Sequence, residues 1–222
     1  LIKSGTGTGK TFNSVEMIDR IRKERPRKIL SIVSRKSLAK QHQSNFYNKN
    51  KELLIKLKYY ENMSPDDMND CDELVIQLDS IWKLDWKKWR SCILYLDETN
   101  SMFDYLLTST TLRSKRMQVW QTFNFIVKNC GFLIGVDADM SDNVLTYFDE
   151  INVPTYVIHN TYMNCVNKPA VHYSDKNKLI AIMKKKLKKG EHFIACSDSF
   201  GAQKMYIEEL KQYCEKKNLK CK

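Results

Sequence analysis

Residues Ser4-Gly5-Thr6-Gly7-Thr8-Gly9-Lys10-Thr11 constrain this chain more than any other stretch. Three glycines alternate with small residues, a Lys-Thr pair follows, and an amphipathic helical pattern starts at Phe12. Glycine adopts positive φ without steric penalty, so such a loop can turn successive backbone N–H groups inward as a nest for a phosphate. In that geometry Lys10 reaches the β- and γ-phosphates, and the Thr11 hydroxyl suits Mg²⁺. The helix behind the loop points the positive end of its dipole at the same anion. The expected cofactors are therefore ATP and Mg²⁺, with Gly5, Thr6, Gly7, Thr8, Gly9, Lys10 and Thr11 as the nucleotide contacts. The strict pattern begins with Gly where this chain has Ser4.

A loop of this kind requires a strand before it and a helix after it, and the rest of the chain continues that alternation. Val15, Met17, Ile18 and Ile21 form a helical stripe that Pro26 brings to an end. Lys28 to Val33 reads as a buried strand, and Ser34-Arg35-Lys36-Ser37-Leu38 turns into a second helix reaching about Tyr47. Leu53 to Tyr59 fits a strand or a helix, and Ser64 to Asp72 reads as a polar loop. Strands are expected at Glu73 to Leu78, Cys92 to Leu96, Phe132 to Val136 and Tyr156 to His159, with helices near Ser80 to Leu84 and Val119 to Val127. That order predicts an α/β fold, a P-loop lobe with a mostly parallel sheet between helices over residues 1–160. Residues 161–170 read as a linker. Residues 171–222 then offer a helix (Lys176 to Lys189), a strand (His192 to Cys196) and a helix (Phe200 to Lys216), the beginning of a second α/β lobe. Leu1 falls inside the strand that feeds the loop, so both ends look cut from a longer polypeptide. With neither a signal peptide nor an apolar stretch of membrane-spanning length, a soluble intracellular protein is expected.

A phosphate loop needs acids at the end of a neighbouring strand, and Leu94-Tyr95-Leu96-Asp97-Glu98 supplies them. Asp97 is expected to hold Mg²⁺ with Thr11, and Glu98 to polarise the attacking water, which with Lys10 completes a catalytic set. A third strand end, Phe132 to Asp139, offers Asp137 and Asp139 for coupling hydrolysis to movement, with helix capping an equal alternative. Lys and Arg total 37 against 26 Asp and Glu, a net charge of +11, which favours a polyanionic partner. Ser34 and Arg35, where a strand feeds a helix, suit contacts to nucleic-acid phosphates. Trp82, Trp86 and Trp89 lie among Lys83, Lys87, Lys88 and Arg90, where packing under a long loop is favoured over base stacking. The seven cysteines are scattered and form no Cys-x-x-Cys pair. Neither a zinc site nor a disulfide framework follows, and they read as small core residues.

The order of these elements resembles superfamily 2 helicases, and within them the herpesvirus-type replication origin-binding proteins. The resemblance rests on Gly7-Thr8-Gly9-Lys10-Thr11, on Ser34 to Leu38 with Ala39-Lys40-Gln41, on Gln77-Leu78-Asp79-Ser80-Ile81-Trp82, on Asp97-Glu98, and on Asp137-Ala138-Asp139. A small residue such as Ser4 before Gly-Thr-Gly-Lys-Thr also looks like that superfamily. Phe193 to Ser199 is similar to the opening of a second RecA-like lobe. Thr99-Asn100 departs from the Asp-Glu-Ala-Asp motif of RNA helicases, which favours DNA as the track. The resemblance implies an ATP-driven DNA helicase or translocase, with DNA and replication proteins as partners, at a viral replication site in host cytoplasm or nucleus. Ser34, Arg35, Gln77 and Ser80 would then face the DNA. It also places the arginine-finger motif beyond Lys222, so that this chain would bind ATP and hydrolyse it slowly. Two rival readings of the sequence remain: a P-loop phosphotransferase acting on a small substrate, and a nucleic-acid-binding module with a relic nucleotide site.

Overall fold

The computed structural model describes residues 1–46, 55–162, 171–173, 175–196 and 199–219. It divides into two units, Leu1–Val166 and Asn167–Lys222. Almost all of the expected linker, and Ser197 and Asp198 of the expected second-lobe opening, lie outside the described residues.

The first unit is built on one sheet. Its strands are β1 (Ile2–Ser4), β2 (Ile29–Val33), β3 (Lys58–Tyr59), β4 (Glu73–Gln77), β5 (Ile93–Asp97), β6 (Phe132–Asp137) and β7 (Ile158–Asn160). They lie in the order β3-β4-β2-β5-β6-β1-β7, and every pairing is parallel. All residues of β2 and β5 are buried, because helices cover both faces of a parallel sheet. This is why those strands read as unbroken apolar runs rather than as alternating patterns. The helices described in this unit are α1 (Lys10–Glu24), α2 (Lys36–Asn45), α3 (Pro65–Asp70), α4 (Thr99–Thr108), α5 (Arg116–Asn129) and α6 (Asp142–Glu150). The expected α/β lobe is therefore present, with a parallel sheet throughout.

The structure departs from the sequence reading in several places. Ser64 to Asp72 is not a loop: it contains α3, started by a capping box. The Ser64 Oγ accepts the Asp67 N–H at 3.1 Å, and the Asp67 carboxylate accepts the Ser64 N–H at 3.4 Å. Pro65 occupies the first helical turn, where its missing N–H costs nothing. Helices α4 and α6 were not expected either, and Leu78–Lys83 forms a 3₁₀ segment. Within the 53–59 run, only Lys58–Tyr59 is a strand among the described residues. The described cysteines of this unit behave as core residues: Cys71 and Cys92 are buried, and burial pushes the Cys130 thiol up to about 11.

Close packing of α4 on the sheet depends on Gly135. A Cβ there would come within 2.7 Å of the Leu1 side chain and 3.2 Å of the Thr99 hydroxyl. Thr99 is fully buried, its hydroxyl lying between the carbonyls of Leu96 (3.3 Å) and Val136 (3.2 Å), so it cannot retreat. Gly135→Val is expected to lower stability by about 1–3 kcal/mol through overpacking. The change would be read as a lower urea midpoint at unchanged slope.

In the second unit α7 (Lys176–Lys188) and α8 (Phe200–Lys216) pack together, with Ile180 and Cys214 buried and Lys184 paired to Glu209 at 2.7 Å. The expected strand at His192 to Cys196 is not formed, and Ile194 is 92% exposed. A strand needs a neighbour to satisfy its backbone N–H and C=O groups, and none is present among the described residues of this unit. Cys214 is disulfide-bonded, which departs from the expectation that the cysteines serve as small core residues outside any disulfide framework.

Candidate nucleotide site

The loop between β1 and α1 takes the shape its glycines permit. Gly7 has φ 75° and Gly9 φ 82°, and Gly9 caps α1 in the left-handed region. Lys10 Nζ folds back onto the loop, donating to the carbonyls of Ser4 at 2.6 Å and Gly5 at 3.0 Å. The Thr8 hydroxyl donates to the Gly5 carbonyl at 2.7 Å, which leaves the Ser4 hydroxyl to donate to Thr8 Oγ1 at 2.6 Å. Ser4 Oγ in turn accepts from Asn160 Nδ2 at 2.9 Å. The hydroxyl standing where the strict pattern has glycine thus ties the loop to β7.

Register brings the acids to this loop. Lys3 of β1 lies level with Asp137 of β6, and Val136 lies level with Asp97 of β5. The carboxyl ends of three adjacent strands therefore meet, as the ligand crevice of an open α/β sheet requires. They border a cavity of about 700 Å³. Its wall combines Thr6, Gly7, Gly9, Lys10 and Thr11 with Asp97, Glu98 and Asp137. Gly5 and Thr8 are absent from that wall, engaged in the loop's internal bonds. Asp139 is exposed and also off the wall.

Each acid has a distinct setting. Asp97 is 8% exposed; its Oδ1 accepts the Glu98 N–H at 3.0 Å and its Oδ2 meets His42 Nε2 at 2.8 Å. Glu98 sits at φ 52°, ψ 52° at the start of α4. A non-glycine residue in that region costs on the order of 1–3 kcal/mol, and such strain gathers at functional sites. Asp137 accepts the Asn100 N–H at 2.7 Å and the Asp139 N–H at 2.9 Å. Its carboxylate thus caps the first turn of α4 from the neighbouring strand, the alternative left open in the sequence.

The four residues expected to face DNA do not form one surface. Arg35 is exposed and borders the nucleotide cavity. Ser34 and Gln77 are buried: Gln77 Nε2 donates to the Ser34 carbonyl at 3.3 Å, and the Tyr60 hydroxyl donates to Gln77 Oε1 at 3.2 Å. They hold the end of β4 against β2 instead of opening outward. Ser80 is half-buried, its hydroxyl donating to Asp79 at 3.1 Å. Among the tryptophans, Trp89 is buried, Trp86 stacks on Phe125 at 4.3 Å and Lys115 covers Trp82 at 4.2 Å, an arrangement of packing.

A family model described as "Type III restriction enzyme, res subunit" (ResIII) matches residues 1–115, more than half of the chain. That span holds the loop, α2 and the Asp97-Glu98 strand end. The chain belongs to the ResIII family. It is accordingly a superfamily 2 helicase-type motor domain. Solved structures agree on the fold. Dbp5 of S. cerevisiae, in a variant bound to a Gle1 variant and ip6, aligns at 16% identity and a TM-score of 0.60, over 96% of this chain and 55% of that one. The same variant bound to RNA and ADP BeF3 aligns at 16% identity and 0.58, over 96% and 56%. A hypothetical ATP-dependent RNA helicase from Sulfolobus tokodaii aligns at 16% identity and 0.51, over 72% and 47%. The chain thus spans about half the length of these structures. No curated protein is matched by it. Among the described residues no helix is long and apolar enough to cross a membrane.

Proposed function

We propose that this chain is the ATP-binding part of a DNA-tracking motor acting in replication. The observation that carries the reading is the single cavity into which Lys10, Thr11, Asp97 and Glu98 all open. Thr11 and Asp97 offer hard oxygen donors, a chemistry that fits Mg²⁺, and the ion would neutralise charge between the β- and γ-phosphates. Lys10 gives up its two loop carbonyls and turns its ammonium to the phosphates. Glu98, held in its strained conformation beside Asp97, orients a water and accepts its proton. Asp137 ties β6 to the start of α4, so a shift at the acids is passed to that helix. Arg35, on the same cavity, is the side chain best placed to bring nucleic-acid phosphate close to the nucleotide.

DNA as the track is supported by Thr99-Asn100 at the positions after the acids, and a nucleic-acid partner in general by the +11 charge. A role in origin-directed, viral-type replication is supported by the Gln77-Leu78-Asp79-Ser80 and Asp137-Ala138-Asp139 elements. The deciding measurement is single-turnover ATP hydrolysis with single-stranded DNA, with single-stranded RNA and with neither. Stimulation by DNA above RNA is expected, and Arg35→Ala should remove most of it while leaving unstimulated ATP binding unchanged. Hydrolysis indifferent to both nucleic acids would instead favour a phosphotransferase.

A further inference from the structure

Beneath the cavity lies a buried histidine that no nucleotide motif accounts for. His42, on α2, is 1% exposed, and both its ring nitrogens are engaged. Nδ1 meets the Ser31 hydroxyl of β2 at 2.8 Å, and Nε2 meets Asp97 Oδ2 of β5 at 2.8 Å. A carboxylate only accepts, so Nε2 carries the hydrogen, and Nδ1 accepts from the Ser31 O–H; a neutral ring satisfies both bonds. Phe46 and Tyr95, with ring centroids 5.3 and 5.4 Å away, wall the imidazole in.

We propose that His42 is a positioning residue for the metal-orienting carboxylate. The inference rests on reading Asp97 as that carboxylate. With Oδ2 held by His42 and Oδ1 by the Glu98 N–H, Asp97 has no torsional freedom left. The carboxylate borders the cavity, so what hydrogen-bonding capacity remains is offered there from a fixed position. The ring is itself anchored through Ser31, so the orientation is set by the sheet and not by solvent. Were packing its only use, an apolar side chain of the same volume would fill this site without the cost of burying a polar ring. Hydrogen-bond donors behind a metal ligand characteristically contribute about 10–100-fold in metal affinity or activity.

The test is titration of a fluorescent ATP analogue with and without Mg²⁺, alongside thermal melting, on the whole chain. His42→Leu is expected to keep Mg²⁺-free nucleotide affinity and to raise the Mg²⁺ concentration needed for tight binding by about 10–100-fold. His42→Gln, whose amide can donate to Asp97 from nearly the same place, should recover most of the loss, which a purely structural role would not predict. Should His42→Leu fail to fold, Ser31→Ala, which only releases the ring, is expected to shift the Mg²⁺ requirement in the same direction. A folded His42→Leu or Ser31→Ala chain with an unchanged Mg²⁺ requirement overturns the proposal, provided Asp97→Asn abolishes the Mg²⁺ response. If Asp97→Asn keeps that response, the reading of Asp97 falls first, and this inference with it.

Discussion

Lys10→Ala is expected to all but abolish nucleotide binding while leaving the fold intact. The ammonium's bonds in the unliganded loop go to two backbone carbonyls, those of Ser4 and Gly5, which water can serve after its removal. In the complex the same ammonium would make two charge-assisted hydrogen bonds to phosphate oxygens. At about 1.5–3 kcal/mol each they sum to roughly 3–6 kcal/mol, or about 10²–10⁴ in Kd. Titration with a fluorescent ATP analogue measures this directly, with the melting temperature as the control. Equal affinity in the native and Lys10→Ala chains would show that the loop is not the nucleotide site.

Glu98→Gln is expected to separate binding from chemistry. Glutamine keeps the size and the backbone demand of the original residue, so the left-handed turn into α4 survives. What disappears is the proton acceptor, and loss of a positioned general base lowers rate by about 10²–10⁴-fold. Single-turnover hydrolysis with the chain in excess over labelled ATP resolves such a drop even when the starting rate is low. Affinity for ATP should stay where it was. A Glu98→Gln chain that hydrolyses at the native rate would remove Glu98 from the chemistry and leave the water to another group.

Much of this was legible in the sequence because it is local. The loop names its own conformation through Gly7 and Gly9, and β2 and β5 declare themselves as apolar runs that no surface strand could afford. The capping box of α3 was equally local, in Ser64, Pro65 and Asp67, and was obscured only by the polarity of the surrounding stretch. What could not be read is whatever depends on register. Gln77 sits in a motif-like segment, yet pairing of β4 with β2 turns its amide toward Ser34. His42 and Asp97 are 55 residues apart, and nothing in either neighbourhood announces the other. The run from His192 to Cys196 has the composition of a strand, but composition does not supply a partner.

The pairing of β7 with β1 has a mechanical consequence. The two strands run in the same direction through three register pairs, from Ile2 beside Ile158 to Ser4 beside Asn160. A pull on the chain beyond Tyr162 therefore loads this ladder in shear, so that its hydrogen bonds resist together instead of parting one after another. The last of those pairs is also joined through side chains, Asn160 to Ser4, and Ser4 leads on to Thr8. Tension arriving along β7 therefore has a hydrogen-bonded route into the phosphate loop. A force applied at one strand end would be felt as strain where ATP is held.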